Sequence, residues 1–258
     1  MAKAWVKFQH AAKAYHYDAA GLRKHWDRLH RGDCEPFPKD DAVLAAWRHY
    51  HAGEFREAME AGNAAGAAGV NAAVKAQAIY ANYLEKNAKT RLELLEEAAR
   101  WADERRKSAP KDANAHYLYA YSLGRYGQGI SVVKALAQGF GGKIRDALTT
   151  AIRLEASHAD AHTAYGAYQA EVVNKVGGLV AGMTYGAKRD SALEHFQKAS
   201  KLNPDSAIAR IEYANGLILL FGKEKLAEAT RLYEQAAKAK PMDAMERLDV
   251  ELAKSELD

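Results

Sequence analysis

The chain is poor in proline and nearly without cysteine: of its 258 residues five are proline and one, Cys34, is cysteine. A lone cysteine excludes an intramolecular disulfide, so nothing covalent beyond the backbone can staple the fold. Scarce proline leaves long stretches free to continue as helix, because each proline removes a backbone donor and crowds the preceding turn. Long apolar runs are also missing. No stretch approaches the ~18 consecutive apolar residues that a membrane-spanning helix needs. The first twenty residues carry Lys3, Lys7 and Lys13 and no apolar centre, so no secretory leader is visible. Gly32 and Asp33 ahead of Cys34 do not fit lipoprotein processing, and a cytoplasmic location is expected. Neither sign of charge dominates: Lys and Arg number 37 against 33 Asp and Glu, a net +4. The densest basic run, Arg100, Arg105, Arg106 and Lys107, falls short of the recurring stripe that nucleic acid requires, so a nucleic-acid partner is not expected.

What is present points to helix. Apolar residues make up 48% and charged residues 27%, enough to build a core without loss of solubility. Alanine is abundant, and it is the best helix former because ordering costs it no side-chain entropy.

A repeat is visible in the second half. Ala229, Tyr233, Ala236 and Pro241 share their spacing with Ala192, Phe196, Ala199 and Pro204. The alanines let two helices approach closely, the aromatic fills the gap between neighbouring hairpins, and the proline ends the helix. First helices align without gaps at Ala113-His116-Tyr119-Ala120, Ala159-His162-Tyr165-Gly166 and Ala207-Arg210-Tyr213-Ala214. Further back, Ala46, Gly53, Phe55 and Ala58 carry one more hairpin. A degenerate one lies between, with helices over Ala73 to Leu84 and Arg91 to Arg106. Repeat starts near 39, 73, 113, 159 and 207, with a last helix from about 244, are spaced 34, 40, 46, 48 and 37 residues apart. The excess in the third and fourth repeats falls inside the hairpins, at Gly127 to Lys143 and Val172 to Lys188.

These spacings resemble the tetratricopeptide repeat superfamily over residues 39–258. The resemblance implies an all-α, right-handed solenoid of helical hairpins, elongated in the third and fourth repeats. Residues 1–38 are read as two capping helices and a linker, the first carrying Trp5, Phe8, Ala12 and Tyr15 and the second Leu22, Trp26 and Leu29. Residues 39–243 form five hairpins, and 244–258 a C-terminal capping helix. The segment Ala115 to Gln128, with Gly124-Arg125-Tyr126-Gly127 before a long insertion, also resembles two narrower families. One is the T-component proteins associated with TRAP transporters, which implies a solute-delivery role. The other is the repeat domain of the regulator-of-microtubule-dynamics family, which implies a membrane-contact or lipid-handling adaptor. Neither implies an enzyme.

In this superfamily the concave groove is lined by the first helix of each hairpin. Mapped by position, the lining includes Asn114, Tyr117, Tyr121 and Arg125, then Asp160, Thr163 and Glu171, then Ile211 and Asn215, with Val43 and Trp47 further out. Tyrosine and arginine are the usual anchors of recognition surfaces. Tyr117, Tyr121, Arg125, Glu171 and Asn215 are therefore the candidate groove residues for a protein or peptide partner. Ile211 ahead of Asn215 does not fit the Lys and Asn clamp that some members use for a carboxylate tail. The insertions offer a second candidate surface in Phe140, Gly178, Val180, Gly182, Met183 and Tyr185. Glycines four apart give a helix one smooth face, and apolar residues at a hairpin tip mark contact with a copy of the chain, a small apolar ligand or a lipid. The competing reading is that the long hairpins bury these residues against each other.

No metal or cofactor is expected. His158, Asp160 and His162 have ligand-like spacing, yet His158 precedes the helix start and His162 shares a packing position with His116. His25, His30 and Cys34 form an equally weak cluster. Gly139 to Lys143 is glycine-rich but lacks the strand and hydroxyl residue of a phosphate loop, and no catalytic motif is present.

Overall fold

The computed structural model describes residues 5–10 and 12–257. They form α1 (Ala19–Leu29), α2 (Asp41–Ala52), α3 (Phe55–Ala64), α4 (Val70–Tyr83), α5 (Ala88–Ser108), α6 (Ala113–Ile130), α7 (Val132–Ala137), α8 (Phe140–Leu154), α9 (Ala159–Val176), α10 (Gly178–Val180), α11 (Arg189–Leu202), α12 (Ala207–Phe221), α13 (Leu226–Ala237) and α14 (Ala244–Ser255). No strand occurs among the described residues, and none of their helices is long and apolar enough to cross a membrane.

Helix starts are set by side-chain caps. Asp40, Asn87, Asp112, Ser206 and Asp243 each accept a hydrogen bond from a first-turn N–H of the helix that follows. A donor left without an intrahelical partner is thereby satisfied. Pairing follows the repeat: α2 packs on α3, α4 on α5, α6 on α8, α9 on α11 and α12 on α13. The close approaches are made by buried alanines, among them Ala46, Ala58, Ala120, Ala147, Ala192, Ala214 and Ala229. Phe196 on α11 is the wedge between hairpins. Its ring stacks on Tyr213 at 5.2 Å and lies against the Cα atoms of Gly166 and Gly216. A Cβ at position 166 would fall 2.9 Å from that ring, which is why a small residue stands there.

The insertions fall inside the hairpins where the repeat spacing placed them. α6 runs on to Ile130, the short α7 turns back at Gly139, whose φ of 76° favours glycine, and α8 begins at Phe140. In the next repeat α10 passes into one π-helical turn over Ala181–Tyr185 before α11. Helix α4 begins at Val70, after a 3-10 turn over Gly66–Gly69, and α5 is longer at both ends than its sequence pattern indicated.

The N-terminal segment departs from expectation. Instead of two helices, residues 5–10 are non-helical and a single 3-10 turn over Lys13–Tyr15 precedes α1. Lys3 and the other residues of 1–4, which open the expected first helix, lie outside the described residues, as do Ala11 and Asp258. A helix would present Trp5, Phe8, Ala12 and Tyr15 to one neighbour. In extended chain they reach different ones: Trp5 stacks on Tyr80 of α4 at 4.0 Å, and Phe8 packs on Phe55 of α3 and over the turn at Gly53.

The two ends of the superhelix meet. Tyr50 of α2 donates to the Met245 sulfur at 2.7 Å, His51 pairs with Asp243 at 2.7 Å, and Tyr83 of α4 donates to Asp249 at 2.5 Å. α14 therefore docks on the first two repeats and closes the superhelix into a ring around its concave face. Replacing the wedge, Phe196→Ala, should lower unfolding free energy by about 3–5 kcal/mol in urea denaturation. A loss under about 1 kcal/mol would show that the Phe196 ring does not join the fourth and fifth repeats.

Candidate functional site

One end of the concave face is filled by the chain itself. After α1, residues 30–38 run as a strap across the first turns of α4, α6, α9 and α14 and the C-terminal half of α2. Lys75 on α4 forms a buried ion pair with Asp33 on the strap. His30 Nδ1 lies 2.9 Å from Asp33, and its Nε2 lies 3.2 Å from the Nε2 of His51. His51 Nδ1 in turn faces Asp243 at 2.7 Å, and burial pushes the His30 imidazole down to about 4. Glu35 accepts from Asn114 at 2.7 Å and from Asn71 at 3.3 Å. Burial, reinforced by Asp33 and Asp112, pushes its carboxyl up to about 8. The Gly32 carbonyl accepts the Asp160 N–H at 2.9 Å. Arg28, at the end of α1, donates to Glu246 at 2.6 Å, and Arg31 to Asp205 at 2.8 Å.

On the far side of Asp160 the concave face stays open. A pocket of about 980 Å³, mouth included, lies between α6, α7, α8 and α9 and the inner ends of α4, α12 and α14. Leu136, Phe140, Ile144, Leu148, Ala167, Tyr168 and Val172 make one wall, and Tyr83, Tyr117, Tyr121, Ile208 and Met245 the other. Its charges are few: Asp160, Glu171, Glu212 and Arg125, the last two an ion pair. Arg125 donates to Glu212 at 2.6 Å and stands 5.4 Å over the Tyr121 ring. Burial opposes charge on Arg125, but Glu212 more than offsets this and keeps it a cation. Gln128 bridges Arg125 and Glu171 at 3.0 and 2.8 Å. Burial also raises the carboxyls of Glu171 and of Asp160, the latter to about 6 although Lys75 is near.

Tyr117, Tyr121, Arg125 and Glu171 come together at this pocket, with Asp160 and Thr163. Asn215 does not join them: it accepts from Tyr233 within the α12–α13 hairpin, and Ile211 is core. The residues of α12 that reach the pocket are Ile208 and Glu212, at the same offsets from the helix start as Asp160 and Ala164 on α9. Asn114 faces the strap and His158, while Val43 and Trp47 are covered by α1 and its neighbours.

Of the insertion residues, Phe140 lines the pocket and Tyr185 packs its ring against Gly141. Among the described residues the glycine face packs on nothing, since a Cβ at Gly178 or Gly182 would meet none of them within 4 Å. Val180 and Met183 stand exposed beside Leu179. The histidine clusters disperse: His158 caps α9 and donates to Asn114, His162 pairs with His195 at 2.7 Å, His25 leans on Tyr17, and Cys34 faces Ser157. Sequence reasoning missed the strap and its partners on other elements, whose pairs are separated by 21 to 174 residues and carry no local signature.

The family model described as regulator of microtubule dynamics protein 1-3 matches residues 70–257, well over half of the chain. The chain belongs to this family. The matched span begins at α4 and holds the pocket; α1, the strap and the first hairpin precede it. Among solved structures, a thermophilic TPR protein of Thermus thermophilus matches with a TM-score of 0.58 and 16% identity, covering 83% of this chain and 98% of that one. That likeness confirms the all-α tetratricopeptide-type solenoid. No curated protein matches the chain.

The ion pair that holds the strap is testable. Lys75→Met leaves the buried Asp33 carboxylate with its main partner gone and should cost about 3–5 kcal/mol, while the double variant with Asp33→Asn should recover most of that. Lys75 and His30 overcome burial to hold the Asp33 carboxyl well below its ordinary range. Its contribution is therefore complete above the ordinary carboxylate value and lost as pH falls through the lowered one, so the double variant should lose less stability in acid. A single-variant cost below about 1 kcal/mol would contradict a strap anchored by this pair.

Proposed function

We propose that the chain is a non-enzymatic interaction module whose binding site is the concave pocket. The element it accepts is a short apolar group entering from the hairpin end, not a length of peptide laid along the groove. The observation that carries this reading is the division of the concave face: the strap and α14 occupy what would be the rest of the groove, and what remains is one blind, largely apolar cavity. A blind cavity admits an end or a tail, and apolar walls make burial of that tail the source of affinity. Superfamily membership supports binding over catalysis. The long hairpins, which looked individual in the sequence, supply the α7–α8 wall.

A second reading, a protein partner or a further copy of the chain at the hairpin tip, is favoured by Leu179 and Met183, which are 77% and 81% exposed. A co-purifying protein or a multiple of the chain mass, removed by Leu179→Asp, would place binding at the tip.

Gly124 provides the test of the pocket. It lines the cavity on α6, and a Cβ there would meet nothing within 4 Å. Gly124→Leu should fill the cavity without backbone strain and leave stability unchanged or raised by about 0.5–1 kcal/mol, the helix-propensity gain over glycine. Native mass spectrometry after gentle purification should find a bound small molecule on the parent chain and none on the variant. Equal retention by both, or a bare parent chain that also takes up no added alkyl ligand, overturns the reading.

A further inference from the structure

At the blind end of the pocket two polar groups have no partner among the described residues. Asp160 begins α9, with its backbone N–H on the Gly32 carbonyl and its side chain wedged between the strap and the cavity: a Cβ at Gly32 would fall 2.8 Å from the Asp160 Cγ. The Asp160 carboxylate accepts no hydrogen bond and forms no ion pair among the described residues, because the nearest cation, Lys75, is bound to Asp33. Tyr117 is 6% exposed, lines the same end and donates its hydroxyl to none of them. The Tyr121 ring stands 6.1 Å from that of Tyr117, and Tyr83 lines the same wall. Three carboxylates line the pocket, Asp160, Glu171 and Glu212, against one cation, Arg125, which Glu212 already neutralises. Asp160 is partly buried, facing the pocket, and a carboxylate there left without a donor is costly unless something positive meets it. Aromatic faces beside it are the usual complement of an organic cation.

We propose that the pocket is a receptor for an alkylammonium ligand, with the positive head group at Asp160 and Tyr117 among the tyrosine rings and the apolar tail along the α7–α8 wall. An anionic amphiphile of the same length meets Asp160 and Glu171 instead and is disfavoured. Neutral pH leaves Asp160 ionised, because burial and the opposing pull of Lys75 set its carboxyl at about 6. The inference rests on the pocket reading above and adds the charge of the ligand to it.

The test is calorimetric titration of the full chain with decyltrimethylammonium, decyl sulfate and decanol, each below its micellar concentration. The ammonium should bind on the order of tenfold more tightly than the sulfate. Asp160→Asn should abolish that advantage and leave decanol binding unchanged, and Tyr117→Phe should reduce it in part. Equal binding of the ammonium and the sulfate, a preference for the sulfate, or an advantage that survives in Asp160→Asn would overturn the assignment while leaving an apolar pocket standing. Binding of none of the three overturns the pocket itself. Were Asp160→Asn to lose its helical circular dichroism, the order of the three probes on the parent chain would still decide.

Discussion

The buried pair of Asp33 and Lys75 holds the N-terminal strap inside the ring, and the shape of the binding site follows from it. A charge pair this deep is a poor source of stability in itself, because desolvation cancels most of the Coulomb gain. Its effect is specificity: with Lys75 fixed on α4, only a strap carrying a carboxylate at one place satisfies the interior. His30, His51 and Asp243 extend the same line of hydrogen bonds to α14, so the pair that seats the strap is continuous with the contacts that close the superhelix.

Closure changes what a tetratricopeptide scaffold can hold. An open groove offers a length of concave surface to an extended segment. Here the strap takes one end, and α14 docks across the first two repeats. The lengthened third hairpin leans α7 and α8 over what is left. Tyr117, Tyr121, Arg125 and Glu171 line the remainder together with the α7–α8 wall. Tyr121, Arg125 and Glu212 are joined by a ring contact and an ion pair, which keeps the arginine charged without leaving it free to attract an anion.

Much of this was legible in the sequence. Small, aromatic and proline residues at fixed offsets located the hairpins, because close helix approach and inter-repeat wedging allow few residue types; Phe196 against Gly166 is the case in point. The same register located Tyr117, Tyr121, Arg125 and Glu171. Asn215 is instead held by Tyr233 within its own hairpin, a pairing that side-chain periodicity cannot detect. The sequence pattern failed more fully at residues 5–38. An amphipathic spacing such as Trp5-Phe8-Ala12-Tyr15 is equally met by an extended segment whose aromatics enter different sites. The ion pairs of the strap join residues far apart in the chain, and polarity alone marks Asp33 and Glu35 as surface residues.

The strap as a fixed floor is the central claim, and the chain's own cysteine gives direct access to it. Cys34 Sγ on the strap lies 3.9 Å from Ser157 Oγ, just ahead of α9. In Ser157→Cys the two sulfurs are within reach of a disulfide that would lock the strap to that helix. Uptake of an alkyl ligand should be the same in the oxidised and reduced forms, because the ligand enters from the hairpin end. Loss of uptake on oxidation, restored by reductant, would contradict a fixed floor and make the strap a gate.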